Sequence, residues 1–394
     1  MPSSPVPLSL THARRIWLRA QRLDVRAPFS QRGELGGDED GDDGANAVRR
    51  AVEHLGYVQI DTIQVIERCH HHILWSRIPD YRRADLHCAQ TTDKTVFEYW
   101  THALSYVPTR DMPFFLAEMK QHRASPRSGY RNVPPEDVRK IIRRVRDDGA
   151  LSLRDIDDDI EQEKDHLWGS RKPSRRALQA AFYDGALTIS ERTGMLKRYE
   201  LTARHFGWTQ TPKVATPAQC TAYVLDRALR AQGLVSLDSV CHLDAPRKPA
   251  VRALIETRVR RGELLPVALE GEGGAPHWVS PADLAPLPDI DPGTTHVLSP
   301  FDPLIIQRKR LHRLFSYLHR FEAYVPRDRR VFGYFALPVL AGDQVVAAID
   351  IKADRTRQRL QIQHWTWVGG GSAARHQAQI DEALHRFEDF QFRK

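Results

Sequence analysis

The spacing of apolar positions along the chain changes period several times, and each change marks an element. Residues 8–23, "LSLTHARRIWLRAQRL", carry Leu8, Ile16, Leu18 and Leu23 on or near helical spacing, with Ser9 and Thr11 as possible caps. The acidic, glycine-rich stretch "GELGGDEDGDDG" (33–44) reads as a mobile loop. A second helix is expected over 45–56, closed by Gly56. "YVQID" (57–61) then alternates with period two, as a strand does.

The middle of the chain repeats itself. "DDGALSLRDI" (147–156) matches "AQGLVSLDSV" (231–240), and "KPSRRAL" (172–178) matches "KPAVRAL" (248–254). Each copy opens with a basic helical stretch, followed by a serine, Ser152 or Ser236, placed to cap a small helix. A helix with proline in its first turn comes next, and a glycine (Gly185 or Gly262) leads into two strand-like runs. Helix, helix, helix, hairpin is the order of a winged helix-turn-helix. The first helices and "YVQID" read as a third, divergent copy. Beyond residue 285 the chain turns proline-rich, then briefly helical. A string of β runs follows, punctuated by Gly333, Pro338, Gly342 and Asp343, which predicts a small antiparallel sheet or barrel. A last helix places Ile380, Leu384 and Phe387 on one face. The expected architecture is α+β: three tandem winged helix-turn-helix motifs and a β-rich, small barrel-like C-terminal portion. The expected boundaries are 1–130, 131–212, 213–285 and 286–394.

Composition narrows the function. With 394 residues and 41% hydrophobic content the chain can build more than one core. No apolar run approaches the roughly 20 residues that cross a bilayer, and the first residues lack the layout of a signal peptide. Four cysteines without a CxxC spacing suit a reducing cytoplasm. Lys+Arg outnumber Asp+Glu 58 to 50, a net charge of +8 that suggests a polyanionic partner. In a helix-turn-helix the second paired helix enters a groove. Arg171, Lys172, Arg175 and Arg176 stand at the start of that helix, either as phosphate contacts or as a solvated charged face.

The densest chemistry lies in residues 56–81. His70, His71 and His72 are consecutive, so on a helix they point about 100° apart and at most two could meet one metal. No phosphate loop, dinucleotide fingerprint or nucleophile elbow occurs, and neither cofactor nor metal is expected. Gln59 and Asp61, two apart on a strand, would share one face while Ile60 packs behind them. An amide beside a carboxylate can orient and activate a water; alternatively Asp61 caps a helix starting at Ile63.

"VQIDTIQVIERCHHHILWSRIPDY", "YWTHALSYVP", "LSPFDPLI" and "ALPVLAGDQVVAAIDIKADR" together resemble the winged-helix DNA glycosylases of the AlkZ/YcaQ superfamily, from about residue 8 to about residue 390. The Gln59-x-Asp61 form is similar to the YcaQ branch; the AlkZ branch carries glutamine at the second position. The resemblance implies excision of N7-alkylated purines from double-stranded DNA in base excision repair, including the unhooking of interstrand crosslinks. Gln59 and Asp61 would be its catalytic pair. With no lysine in the motif, a simple hydrolytic glycosylase is expected. Arg68, His71, Arg77, Arg82 and Arg83 surround the motif as candidate DNA contacts, the arginines equally readable as surface charges, and Trp75 and Tyr81 are core residues or stacking platforms. A cytoplasmic, nucleoid-associated monomer is expected. The competing reading is a non-catalytic winged-helix regulator in which Asp61 is only a cap.

Overall fold

The computed structural model describes residues 4–25, 29, 44–78, 80–156, 172–271 and 276–393. Arg171 and nearly all of the stretch 33–44 lie outside them. The chain is mixed α+β and divides into two compact units, Met1–Arg82 with Thr221–Lys394, and Arg83–Cys220.

The first unit draws its core from both ends of the chain. Leu8, Ile16, Trp17, Leu18 and Leu23 cluster with Leu234, Val267, Leu269, Leu304, Leu311 and Leu340. Each such side chain contributes roughly 1.5–3 kcal/mol on burial. A second core within the same unit is more local: Val224, Leu225, Val235, Val240, Val251, Ile255 and Trp278 pack together within one stretch of chain.

Ser9 caps the helix Leu10–Ala20 by accepting the His12 N–H at 3.1 Å. Thr11 is no cap; it lies inside the first turn and accepts from Arg14 Nη2. Leu8 belongs not to this helix but to a strand, Val6–Leu8, that runs parallel to Leu265–Leu269. That pair completes a four-stranded sheet with His277–Val279 and Val235–Ser236. The helix Gly44–Leu55 stops at Gly56, whose φ of +78° is a left-handed cap. A Cβ there would lie 2.4 Å from the flexible Arg227 side chain, which would have to move, so the left-handed φ is the stricter demand for glycine.

Both copies of the repeat carry their elements in the expected order. In the first unit, Ser236 and Ser239 form a reciprocal capping box on the short helix Leu237–Val240, with bonds of 3.2 and 2.9 Å. The helix Lys248–Arg260 and the strands Leu265–Leu269 and His277–Val279 follow. In the second unit, the helix Pro135–Asp148 precedes Ser152, which forms the same box with Asp155. The helix Pro173–Tyr183 then leads to the hairpin Leu187–Thr193 and Leu196–Leu201.

Toward the C-terminus the β runs form an open antiparallel sheet in the order Thr295–Val297, Ala336–Ala341, Gln344–Asp354, Arg359–Trp367. Its first and last strands do not pair, so the barrel-like closure expected from sequence is not formed. Closure requires the edge strands to pair with a matched register shift, and the three-residue edge strand Thr295–Val297 pairs only with Ala336–Ala341. The final helix, Ala373–Phe392, buries Ile380, Ala383, Phe387 and Phe390, leaving Leu384 half-buried at the edge of that stripe. No helix among the described residues is long and apolar enough to cross a membrane.

One ion pair among the described residues of this unit has both side chains wholly buried. The Arg77 guanidinium donates to both oxygens of Asp302, at 2.7 and 3.0 Å, and neither side chain has any exposure. It also donates to the Gln21 carbonyl and side chain and to the Ile73 carbonyl. Arg77, expected as a DNA contact, is thus corrected to a structural residue: no phosphate reaches it.

Two predictions follow from the buried polar groups. Arg77→Leu leaves the Asp302 carboxylate buried without its partner, and should lower unfolding free energy by about 3–5 kcal/mol in urea denaturation. The second concerns acid. Burial depresses His54, His72, His205 and His296 to about 4, and His319 to about 3, below the ordinary value near 6.5. The unfolded chain binds protons that the folded one refuses, so stability present above about pH 6.5 is lost toward pH 4. The Tm should fall through that window, and His72→Gln should flatten part of the fall.

Candidate active site

Gly56 turns the chain out of its helix into the short strand Val58–Gln59, where Gln59 is buried at 6% exposure. Val58 and Ile60 on either side of it are buried too, so burial does not alternate here. The strand ends at Gln59, so the period-two argument stops short of Asp61, and a turn places the carboxylate instead. Asp61 Oδ1 accepts the Ile63 N–H at 2.7 Å. The helix from Ile63 that the alternative cap reading requires does not form; residues 61–68 are irregular and the helix starts at Cys69. The aspartate therefore makes an Asx-turn rather than a helix cap.

This irregular segment is held at several points. The Cys69 thiol donates to the Gln59 carbonyl at 3.0 Å, tying the helix start to the strand. The Glu67 carboxylate accepts the Arg68 N–H. Ala353 N–H bonds the Val65 carbonyl, and Arg355 Nη2 donates to the carbonyls of Gln64 and Ile66, each at 3.1 Å. Arg355 stands at the end of a sequence block that the family resemblance highlights, but spacing alone carries no signal for this role.

Asp61 itself is half-buried, and its carboxyl is raised above the ordinary carboxylate value. Burial is the main cause, opposed by hydrogen bonds from the Ile63 and Thr62 N–H groups. Among the described residues no lysine or arginine pairs with it. Burial, with the Asp61 charge adding to it, pushes the neighbouring Cys69 thiol well up, so it stays protonated. The result is an oriented carboxylate that a cation has not already neutralised, with a buried amide two residues away.

The histidines go elsewhere. His72 Nε2 donates to the Val297 carbonyl at 2.8 Å, and the ring stacks on Phe387. His71 Nδ1 lies 2.6 Å from the Tyr81 hydroxyl, and His70 is buried. Among the described residues no three His, Cys, Asp or Glu side chains gather as a metal-holding group. Tyr81 is buried and half-buried Trp75 stacks on Phe390, so both serve the packing of the last helix.

A sequence profile described as "DNA glycosylase AlkZ-like" matches residues 52–390. The chain belongs to the AlkZ-like DNA glycosylase family. It is also similar in structure to the Streptomyces sahachiroi DNA glycosylase AlkZ, with a TM-score of 0.60 at 16% identity over 98% of each chain. At that identity the likeness speaks to the fold. Family membership implies a hydrolase of N-glycosidic bonds that binds DNA.

The candidate DNA contacts of this glycosylase divide by exposure. Arg82 is exposed; Arg68 is half-buried with Nη2 on Gln64 Oε1. In the helix Pro173–Tyr183, Lys172 at the N-cap and Arg175 face solvent. Arg176 does not: it is 8% exposed among buried Ala177, Ala180 and Ala181. One residue along a helix is a 100° turn, which puts Arg175 outside and Arg176 inside. Arg176 is therefore corrected from phosphate contact to inner-face residue. Lys172→Ala with Arg175→Ala should weaken duplex binding and lower the slope of log K against log salt by about 0.9 per lost phosphate contact. A titration over several salt concentrations measures it, and an unchanged slope moves the interface off this helix.

Proposed function

We propose that this chain hydrolyses the N-glycosidic bond of N7-alkylated purines in double-stranded DNA, unhooking of interstrand crosslinks included, with Asp61 and Gln59 as the catalytic pair. The observation that carries this reading is the Asp61 turn: a half-buried carboxylate, oriented by backbone N–H donors and raised by burial, on the residue pattern Gln-x-Asp. That pattern aligns the chain with the YcaQ-like branch of the family. Three tandem winged-helix motifs, the N-terminal one divergent, would present the DNA, with Arg68, His71, Arg82, Lys172 and Arg175 as contacts.

The chemistry asks little of a general acid. An N7-alkylated purine carries a formal positive charge and leaves with the bonding electron pair as a neutral base. Positive charge then builds on the sugar, as in other glycosidic cleavages. The Asp61 carboxylate stabilises it, and takes a proton as water oxygen bonds to the anomeric carbon. The Gln59 amide, which both donates and accepts, holds that water in line. A base tethered across the duplex cannot swing fully outward, and a half-exposed turn suits such a substrate better than a closed pocket. No lysine nucleophile enters this scheme, so the enzyme is a monofunctional glycosylase, working as a nucleoid-associated monomer in base excision repair.

The scheme makes a paired prediction. Asp61→Asn should reduce release of N7-methylguanine from alkylated duplex by about 10²–10⁴-fold while leaving duplex affinity intact. The ionised carboxylate is the working form, so wild-type excision should fall as pH drops through a value above the ordinary carboxylate pKa of about 4. Excision by the variant at the wild-type rate would sink the assignment.

A further inference from the structure

Seven large apolar side chains stand out in solvent among the described residues, and three of them, Leu318, Tyr324 and Val331, fall within fourteen residues of chain. Tyr324 is the most exposed of all, at 81%. The segment that carries them is firmly built. The buried Glu322 carboxylate accepts the N–H groups of Val331, Phe332 and Gly333, at 2.7 to 3.3 Å. Buried Asp350 likewise accepts those of Tyr334 and Phe335. Arg330 Nε reaches back to the Val325 carbonyl at 2.8 Å, closing the loop on itself. Phe321 packs on Phe301 and Phe335, and the Tyr324 ring leans edge-on against Phe321 at 6.0 Å. A scaffold this well bonded holds the tyrosine outward, and large apolar side chains concentrated on one bonded segment and held in water mark a contact surface.

Its charge says what kind of partner fits. Arg320, Arg327 and Arg329 are exposed around the tyrosine. The segment has two acids: Asp328 is exposed, whereas Glu322 is buried and engaged by backbone N–H groups. A protein-docking core is depleted of charge, whereas a strand of nucleic acid offers phosphates to arginine and π-faces to an aromatic ring. We propose that residues 318–331 form a second DNA-contact surface, with Tyr324 stacking on a base at an opened step and Arg327 and Arg329 holding the flanking phosphates. This rests on the reading that the chain works on duplex DNA.

The test uses the full chain in an Asp61→Asn background, so that excision does not consume the probe. The probe is a duplex with 2-aminopurine beside an abasic-site analogue. Tyr324→Ala should weaken binding about five- to a hundredfold, the range for one lost base stack, and should restore emission that the ring quenches. Tyr324→Phe should keep both. Arg327→Ala with Arg329→Ala should lower the salt slope by about two. If affinity, emission and slope all stay at the parent values while the Lys172/Arg175 variant still weakens binding, the surface is not part of the DNA interface and DNA binding stands. If the Tyr324 variant alters only self-association in sedimentation, the patch is a protein contact and the proposal is overturned. Excision by single Asp61→Asn bears on catalysis alone.

Discussion

The buried Arg77–Asp302 pair is the contact on which the first unit depends. Removing two charges from water costs several kcal/mol per ion, and only close, fully bonded geometry offsets it. Here the fork-to-fork pairing meets that condition, and the remaining donors go to Gln21 and Ile73. Asp302 also accepts the Leu304 N–H, which shapes its own turn. Three stretches far apart in the chain must therefore arrive together: the end of the first helix, the end of the Cys69–Trp75 helix, and the Ser299–Ile305 turn. The segment bearing Asp61 leads directly into that second helix, so its position inherits the constraint.

Around Asp61 the molecule accepts a local cost. A raised carboxyl is one whose charged form the fold disfavours, and two backbone N–H groups only partly relieve this. A salt bridge would stabilise the charge better and would also remove the base from use. The clasp from Ala353 and Arg355 makes sense in these terms: it holds an irregular segment without placing a cation on the carboxylate. Backbone carbonyls anchor the segment, backbone N–H groups orient the carboxylate, and reactivity is left on the side chain.

Features that depend on a few neighbouring residues were legible in advance. Ser9, Ser152 and Ser236 cap where a hydroxyl precedes a helical run, and Gly56 closes its helix because only glycine is at ease at that φ. The internal repeat likewise carried its element order into both units. Expectations failed where distant partners decide. The Ile63 helix of the alternative cap reading lost to a turn clasped by the long strand Gln344–Asp354. Arg77, polar by composition, is the most buried arginine among the described residues because Asp302 waits 225 residues away. Leu8 left the first helix for a strand because Leu265–Leu269 offered an edge.

By itself, then, the sequence determined the local vocabulary of this protein: caps, turns, the repeat, the basic helix and the Gln-x-Asp pattern. These follow from torsional preference and short-range hydrogen bonding, which neighbouring residues settle among themselves. Only the tertiary structure decided which arginines face solvent, that the β runs stay an open sheet, and that Asp61 sits half-buried in a held turn. Each of those outcomes depends on burial and on charge partners brought in from elsewhere in the chain, and free energies of that kind exist only once the chain has closed on itself.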